Sequence, residues 1–242
     1  MTRKRADMIL VERGIFSSRT RAQAAIAAGL VKVGGARLQK ASEAIAADAD
    51  IAAEPPHPYV SRGGVKLAAA LDAFGLDPAG LVCLDVGAST GGFTDVLLKR
   101  GARRVVAVDV GHGQLDAVLA ADPRVRSLEG RDARSLRLED IGEHPHAIVC
   151  DVSFISQKHV LPHVLTLAAP GAWLVSLVKP QFEVGRAAIV KGRVRSEAAL
   201  ARACADVRGC VEALGWAALG VLPSPVLGGA DAIEFLLAAR HG

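Results

Sequence analysis

The chain has 242 residues, 51% of them hydrophobic and 22% charged, with a formal net charge of +4. That balance excludes a disordered or fibrous protein and leaves room for one large or two smaller buried cores. No uninterrupted apolar run reaches the length of a bilayer span, and Thr2-Arg3-Lys4-Arg5 lacks the apolar stretch of a secretory signal, so a cytoplasmic protein is expected.

Charge is unevenly placed: residues 1–40 hold nine Lys/Arg against Asp7 and Glu12, a balance of +7, and the remainder stands at −3. A basic end on a near-neutral body points to a module that docks on a polyanion. Residues 6–13 read as a short helix stopped by Gly14, and Ser17 or Ser18 can cap a second helix that runs to Ala28 and stops at Gly29. Ala22, Ala25 and Ile26 form its apolar stripe, while Arg19, Arg21 and Gln23 project elsewhere. Residues 30–38 read as a tight hairpin, because Gly34-Gly35 supplies the positive φ that primed turns demand. Helix, basic helix and basic hairpin together resemble the small αL-type RNA-binding domain shared by a ribosomal protein, pseudouridine synthases and heat-shock RNA binders. On that resemblance Arg3, Lys4, Arg5, Arg19, Arg21, Lys32 and Arg37 are candidate RNA contacts; a plain solvated face is the alternative.

Residues 41–54 are alanine-rich and acidic, and Pro55-Pro56-His57-Pro58 then stiffens the chain. A linker is expected over residues 55–60, between a domain of residues 1–54 and another of residues 61–242. Ser61-Arg62-Gly63-Gly64-Val65-Lys66-Leu67 opens the second domain, with a helix over 65–74 that places Lys66 in its first turn. A cation there opposes the helix dipole, so function explains this lysine better than structure does, a surface position being the alternative.

The second domain is organised around Val82-Cys83-Leu84-Asp85-Val86-Gly87-Ala88-Ser89-Thr90-Gly91-Gly92-Phe93-Thr94. An apolar strand ends in a glycine-spaced turn, and a helix over 94–100 closes at Gly101. The spacing is neither the dinucleotide fingerprint nor a phosphate-binding loop with its lysine. A second apolar run over 104–109 ends in Asp109, placed to accept from both hydroxyls of a ribose. Glycine turn plus strand-end acid suits S-adenosylmethionine; an Asp that merely caps the next helix is the alternative.

Further strands are expected at 125–128, 147–150 and 173–178, the last two ending at Asp151 and at Lys179-Pro180. Alternating strands and helices argue for a mostly parallel sheet covered on both faces, with ligands at its carboxyl ends. Arg186, Lys191, Arg193 and Arg195 lie in an aperiodic stretch over 183–195, either a mobile basic loop that closes on a polyanion or an ordinary surface excursion. Ser196 can cap a long helix ending before Gly215, and 217–222 with 232–239 form a final hairpin-like pair carrying Glu234. Cys83, Cys150, Cys204 and Cys210 show no C-x-x-C spacing, so neither disulfide nor zinc is expected.

Lys66, Asp151, Lys179 and Glu234 stand out as ionisable groups, each of which could also be a surface ion pair. Their surroundings, Ser61 to Leu67, Leu84 to Thr94, Cys150-Asp151-Val152-Ser153-Phe154-Ile155-Ser156 and Leu177-Val178-Lys179-Pro180-Gln181-Phe182-Glu183, resemble the TlyA family. That family is described both as haemolysins and as 2′-O-methyltransferases of ribosomal RNA, with a catalytic half similar to the FtsJ-like class. The resemblance implies a Rossmann-like class I S-adenosylmethionine-dependent methyltransferase fold, α/β with a final antiparallel strand, behind a small α+β RNA-binding domain. It implies a catalytic tetrad at Lys66, Asp151, Lys179 and Glu234, with Lys179 as base or orienting cation for a ribose hydroxyl. For the cofactor it implies Gly87, Ser89, Thr90 and Gly91 near the methionine end, Asp85 and Gly92 in the same cradle, Asp109 on the ribose and Asp132 near the adenine. Arg62, Arg186 and Arg193 join the expected RNA contacts, no metal is required, and the implied substrate is a cytidine in 16S and 23S rRNA within ribosomal subunits. Phe93, Phe154 and Phe182 fall near the expected site, as core or as stacking platforms. Two rivals remain: a membrane-active haemolysin, disfavoured by the small apolar face of the basic module, and a non-catalytic rRNA-binding assembly factor.

Overall fold

A computed structural model describes residues 3–16, 18–190 and 192–242. Thr2, Ser17 and Lys191 lie outside the described residues. The chain divides into two units, Met1–Pro58 and Tyr59–Gly242.

In the first unit, α1 (Ala6–Glu12) and α2 (Arg19–Ala27) pack their apolar stripes into one small core of Ile9, Leu10, Phe16, Ala22, Ala25 and Ile26, joined by Val31, Leu38 and Ile45. Ser18 caps α2 by accepting from the Arg21 N–H, and Gly29 leaves it at φ +75°. The hairpin of β2 (Val31–Val33) and β3 (Ala36–Arg37) turns through Gly34 and Gly35 at φ +57° and +80°, the pair of positive angles that matches strand twist. Three strands are additions to the sequence-based expectation. β1 (Arg3–Arg5) pairs with β4 (Ala44–Ala46), and β5 (Ile51–Ala53) pairs with β2, so the alanine-rich stretch is half strand. Strands of three residues paired with partners 18 to 43 positions away carry no local period, which is why the sequence hides them.

The second unit is built on a seven-stranded sheet in the order β13-β14-β10-β9-β6-β7-β8. β6 (Val82–Val86), β7 (Arg104–Asp109), β8 (Val125–Glu129), β9 (Ala147–Cys150) and β10 (Trp173–Val178) run parallel. β14 (Phe235–His241) runs against both its neighbours, β10 and β13 (Trp216–Pro223). Side chains alternate between two cores. Val82, Leu84 and Val86 of β6, with Leu174 of β10, enter one; Cys83, Trp173, Val175 and Leu177 enter the other. Both faces are covered, which is why these strands read as nearly continuous apolar runs.

The helices are α3 (Arg62–Phe74), α4 (Gly92–Lys99), α5 (Ala117–Ala120), α6 (Leu138–Ile141), α7 (Leu161–Val164), α8 (Pro180–Glu183) and α9 (Glu197–Ala213), and a short hairpin joins β11 (Ile189–Val190) to β12 (Arg193–Val194). Leu67 and Leu71 of α3 with Val96 and Leu97 of α4 cover one face, Leu161 of α7 and Val207 and Val211 of α9 the other. Each such buried side chain contributes about 1.5–3 kcal/mol relative to exposure. Tyr59 and Val60, expected in the linker, pack against the first of these faces, and the Val60 N–H donates to Asp95 (2.9 Å).

Two helix starts differ from expectation. α3 begins at Arg62, three residues early, so Lys66 lies in its second turn and the dipole argument for it falls away. α4 begins at Gly92, because Gly91 at φ +90° caps it. Glu234 lies one residue before β14 instead of within a strand. From β6 the sheet grows outward in both directions, through β7 and β8 on one side and β9 and β10 on the other. This reversal of order opens a crevice at the carboxyl ends of β6 and β9.

Candidate active site

The segments after β6, β7, β8 and β9 enclose a cavity of about 560 Å³. Two conditions shape its floor at Gly87: φ is +82°, and a Cβ there would lie 2.5 Å from the Asp151 carbonyl oxygen. Only glycine meets both. Ser89 holds a left-handed φ of +47°, a conformation that costs a non-glycine residue about 1 kcal/mol or more. Its N–H donates to Asp109 Oδ2 (2.8 Å) and its hydroxyl to Gln114 Oε1 (3.1 Å). Asp109 Oδ1 accepts from the Gly111 N–H (2.7 Å), so each oxygen is oriented and keeps a second lone pair.

Glu129, which carries no motif in the sequence, ends β8 and accepts from the N–H groups of Gly113, Gln114 and Leu115 at 2.8–3.1 Å. Those bonds, led by that from Gln114, hold its carboxyl below the usual range. They also fix the loop that carries Gly111 and Gln114 into the cavity wall. Asp132 lines the same wall, accepting from the Arg134 N–H (2.9 Å) and pairing with the Arg134 guanidinium (2.6 Å), which lowers its carboxyl.

Of the expected cofactor residues, Gly87, Ser89, Asp109 and Asp132 line this cavity, and Asp85, Thr90, Gly91 and Gly92 do not. Gly92 sits where α4 crosses α3, and a Cβ on it would come 3.1 Å from the Gly64 nitrogen. Asp85 is fully buried on β6; its Oδ2 accepts from Thr94 Oγ1 (2.6 Å), and its Oδ1 has no partner among the described residues. Burial pushes its carboxyl up to about 7. An orphaned carboxylate oxygen behind the turn and an oriented carboxylate at the end of β7 fit a ligand that carries a cationic amine and a ribose, as S-adenosylmethionine does.

The four ionisable candidates form two ion pairs. Lys179 Nζ lies 2.5 Å from Asp151 Oδ1 and donates to Ser153 Oγ (2.8 Å); Asp151 and Ser153 both line the cavity. Lys66 pairs with Glu234, both buried. The register Val178↔Phe235, carried one step on, sets Lys179 opposite Glu234, and Asp151 leaves the neighbouring strand β9. The pairs thus occupy adjacent strand ends.

Phe93 is core, at 3% exposure, whereas Phe154 is 92% exposed at φ +65°, its ring 5.2 Å from that of Phe182. Ser153 and Phe154 stand in the motif that carries Asp151, a signal the sequence offered without saying which of its residues face the cavity. The buried Cys83 and Cys150 thiols are pushed up to about 12 by burial.

Several basic candidates have internal partners. In the first unit Arg3 donates to the Ala44 carbonyl (2.9 Å), and Lys4 pairs with Glu12 (2.9 Å). Arg5 and Arg19 both pair with Asp7, a fully buried carboxylate that also accepts from Gln23 (2.7 Å). The basic cluster therefore encloses an acid that the charge count treats as incidental. Arg21 is half-buried, and Lys32 and Arg37 are exposed and face each other across the hairpin. In the second unit Arg62 is exposed in the first turn of α3, Arg186 precedes β11, and Arg193 pairs with Asp231 (2.9 Å). Among the described residues no helix is long and apolar enough to cross a membrane.

An FtsJ-like methyltransferase family model matches residues 59–241 and an S4 domain model matches residues 4–51. The 16S/23S rRNA (cytidine-2′-O)-methyltransferase TlyA of Mycobacterium tuberculosis is 44% identical over 241 residues, 98% of this chain and 90% of that protein. A solved structure from Streptococcus thermophilus, carrying a provisional hemolysin description, covers all of this chain and 89% of its own at 38% identity and a TM-score of 0.79. The magnesium protoporphyrin IX methyltransferase of Synechocystis, at 18% identity and a TM-score of 0.51 over 74% of this chain and 81% of its own, shares the fold of the second unit.

Proposed function

The chain belongs to the TlyA family, an S4 domain joined to an FtsJ-like methyltransferase, and from that premise we propose which of its residues carry the reaction. The protein methylates the ribose 2′-hydroxyl of cytidine in 16S and 23S rRNA. S-adenosylmethionine supplies an electrophilic methyl group on a sulfonium. Asp109 would hold its ribose, Gly87 and Ser89 would shape the turn beneath it, Asp132 would lie toward its base, and Asp85, buried behind the turn, would act on its cationic amine from a distance.

The observation that carries the assignment is the contact of Lys179 with Asp151 and Ser153 at the cavity rim. Lys179 Nζ, held by Asp151 and Ser153, is the orienting cation or the base for the 2′-hydroxyl, and Asp151 keeps it aimed at the cavity rim. Lys66 and Glu234, neutralising each other beside them, set the local charge and position the sugar. Holding oxygen and methyl donor in line supplies much of the acceleration. Phe154, exposed above the cavity and backed by Phe182, offers a face on which a base drawn out of its stack can rest.

The substrate is rRNA within ribosomal subunits, met in the cytoplasm. Lys32 and Arg37 on the first unit, with Arg62 and Arg193 on the second, contact phosphates and give register without reading sequence. The test is Lys179→Ala, assayed with labelled methyl donor and separated subunits, the modified ribose being mapped by mass spectrometry. Methyl transfer is lost while calorimetry shows cofactor binding retained; residual transfer near the wild-type rate removes Lys179 from the chemistry.

A further inference from the structure

We propose that Glu183 is a positioning residue for the Lys179–Asp151 pair, acting through Ser156 and Gln157; the proposal rests on the assignment of that pair to methyl transfer. The chain leaves β9 at Asp151 and β10 at Lys179, and the two segments beyond these strand ends are tied together at two levels. Close to the sheet Lys179 reaches Asp151 and Ser153. Further out, Glu183 Oε2 accepts from the Ser156 hydroxyl (2.5 Å) and Oε1 from the Gln157 N–H (2.9 Å).

Gln157 closes the frame. It is 1% exposed; its Nε2 donates to the Leu177 carbonyl (2.5 Å) and its Oε1 accepts from the Ser176 hydroxyl (2.5 Å), both on β10. A carboxylate with both oxygens engaged and a buried amide with both ends satisfied have few alternative arrangements of similar energy. None of Ser156, Gln157 and Glu183 lines the cavity, so they act through residues 151–153 and not on substrate or cofactor. Losing the Glu183 carboxylate orphans the Gln157 N–H and releases the outer end of the segment that presents Asp151 and Ser153 to Lys179. A shift of about 1 Å in a reacting group is enough to cost on the order of 100-fold in rate.

The experiment compares Glu183→Ala and Glu183→Gln with the wild-type full chain. It reads kcat and KM on ribosomal subunits, cofactor affinity by calorimetry, and the rate at which trace acetic anhydride labels Lys179 relative to the exposed Lys40. Glu183→Ala lowers kcat by about 10- to 100-fold, leaves KM and cofactor affinity within about twofold, and speeds Lys179 labelling. Glu183→Gln, whose amide can still accept from the Gln157 N–H and bond the Ser156 hydroxyl, recovers most of both. Should Glu183→Ala not fold, Ser156→Ala removes one of the two bonds and shows the same changes in smaller degree. Unchanged kcat and labelling in the alanine variant overturn the proposal, as does a glutamine variant as impaired as the alanine one. A wild-type protein that fails to methylate ribose overturns the reaction assignment instead, and the labelling rates then decide the positioning role alone.

Discussion

Lys66 and Glu234 form an ion pair although 168 positions separate them in the chain, and their side chains keep only 10% and 3% of their exposure. Removing one partner leaves an uncompensated buried charge. Glu234→Leu or Lys66→Met is therefore expected to cost about 3–5 kcal/mol of stability, whereas the Lys66→Met/Glu234→Leu double variant costs markedly less than their sum. Urea unfolding of the four proteins measures the coupling; additive losses would falsify it.

Asp109 organises two turns and faces the cavity, so Asp109→Ala should weaken S-adenosylmethionine binding by about 1–3 kcal/mol, the loss of a half-buried hydrogen-bonded acceptor. Calorimetry reads it directly. An unchanged affinity places the ribose elsewhere.

Asp85 predicts a pH dependence of sign opposite to that of a paired surface acid. Its folded value is raised to about 7 while the unfolded one is near the ordinary value of about 3.9. The folded state thus binds the proton more tightly: this stabilisation is full below pH ~4 and is lost as pH rises to about 7, a change of order 2–4 kcal/mol. Asp85→Asn flattens that slope in denaturant unfolding. If Asp85 answers the cofactor amine, binding near pH 6 also releases a proton, read as a buffer-dependent enthalpy that the Asn variant lacks.

Asp7 works the other way. Hydrogen bonds from Arg5 first, then from Gln23 and Arg19, hold its carboxyl well below the usual carboxylate range. Its stabilisation of the first unit is present above pH ~4 and lost as pH falls toward and below 2. Asp7→Asn, which keeps the shape but loses the charge, should lower the thermal midpoint of that unit at pH 7 and lower it by markedly less at pH 2. An equal drop at both pH values shows that the charge is immaterial.

Lys32 and Arg37, exposed and adjacent, are expected to contact phosphates. Lys32→Ala/Arg37→Ala should weaken rRNA binding and reduce the slope of log affinity against log salt by about 1–2. A slope identical to that of the wild type takes the hairpin off the RNA.

The parallel strands, the glycine turn and most of the polar residues at strand ends, Glu129 excepted, are legible along the chain. Each of these obeys short-range rules: β6 and β10 are almost wholly apolar, as two covered faces require, and Gly87 stands where positive φ is needed. Asp109, Asp151 and Lys179 are legible as strand-end residues for the same reason, since a strand stops where apolar residues do. Which ammonium meets which carboxylate is settled by folding alone, because Lys66 finds Glu234 through the docking of α3 beside β14 and no local period encodes that meeting. The same holds for Asp7, which counts as one acid among nine basic residues until folding draws Arg5 and Arg19 onto it, and for Glu183, whose partners Ser156 and Gln157 come after a different strand. Electrostatic pairs of this kind depend on distance in space, and burial then sets their strength, so neither can be read from order along the chain.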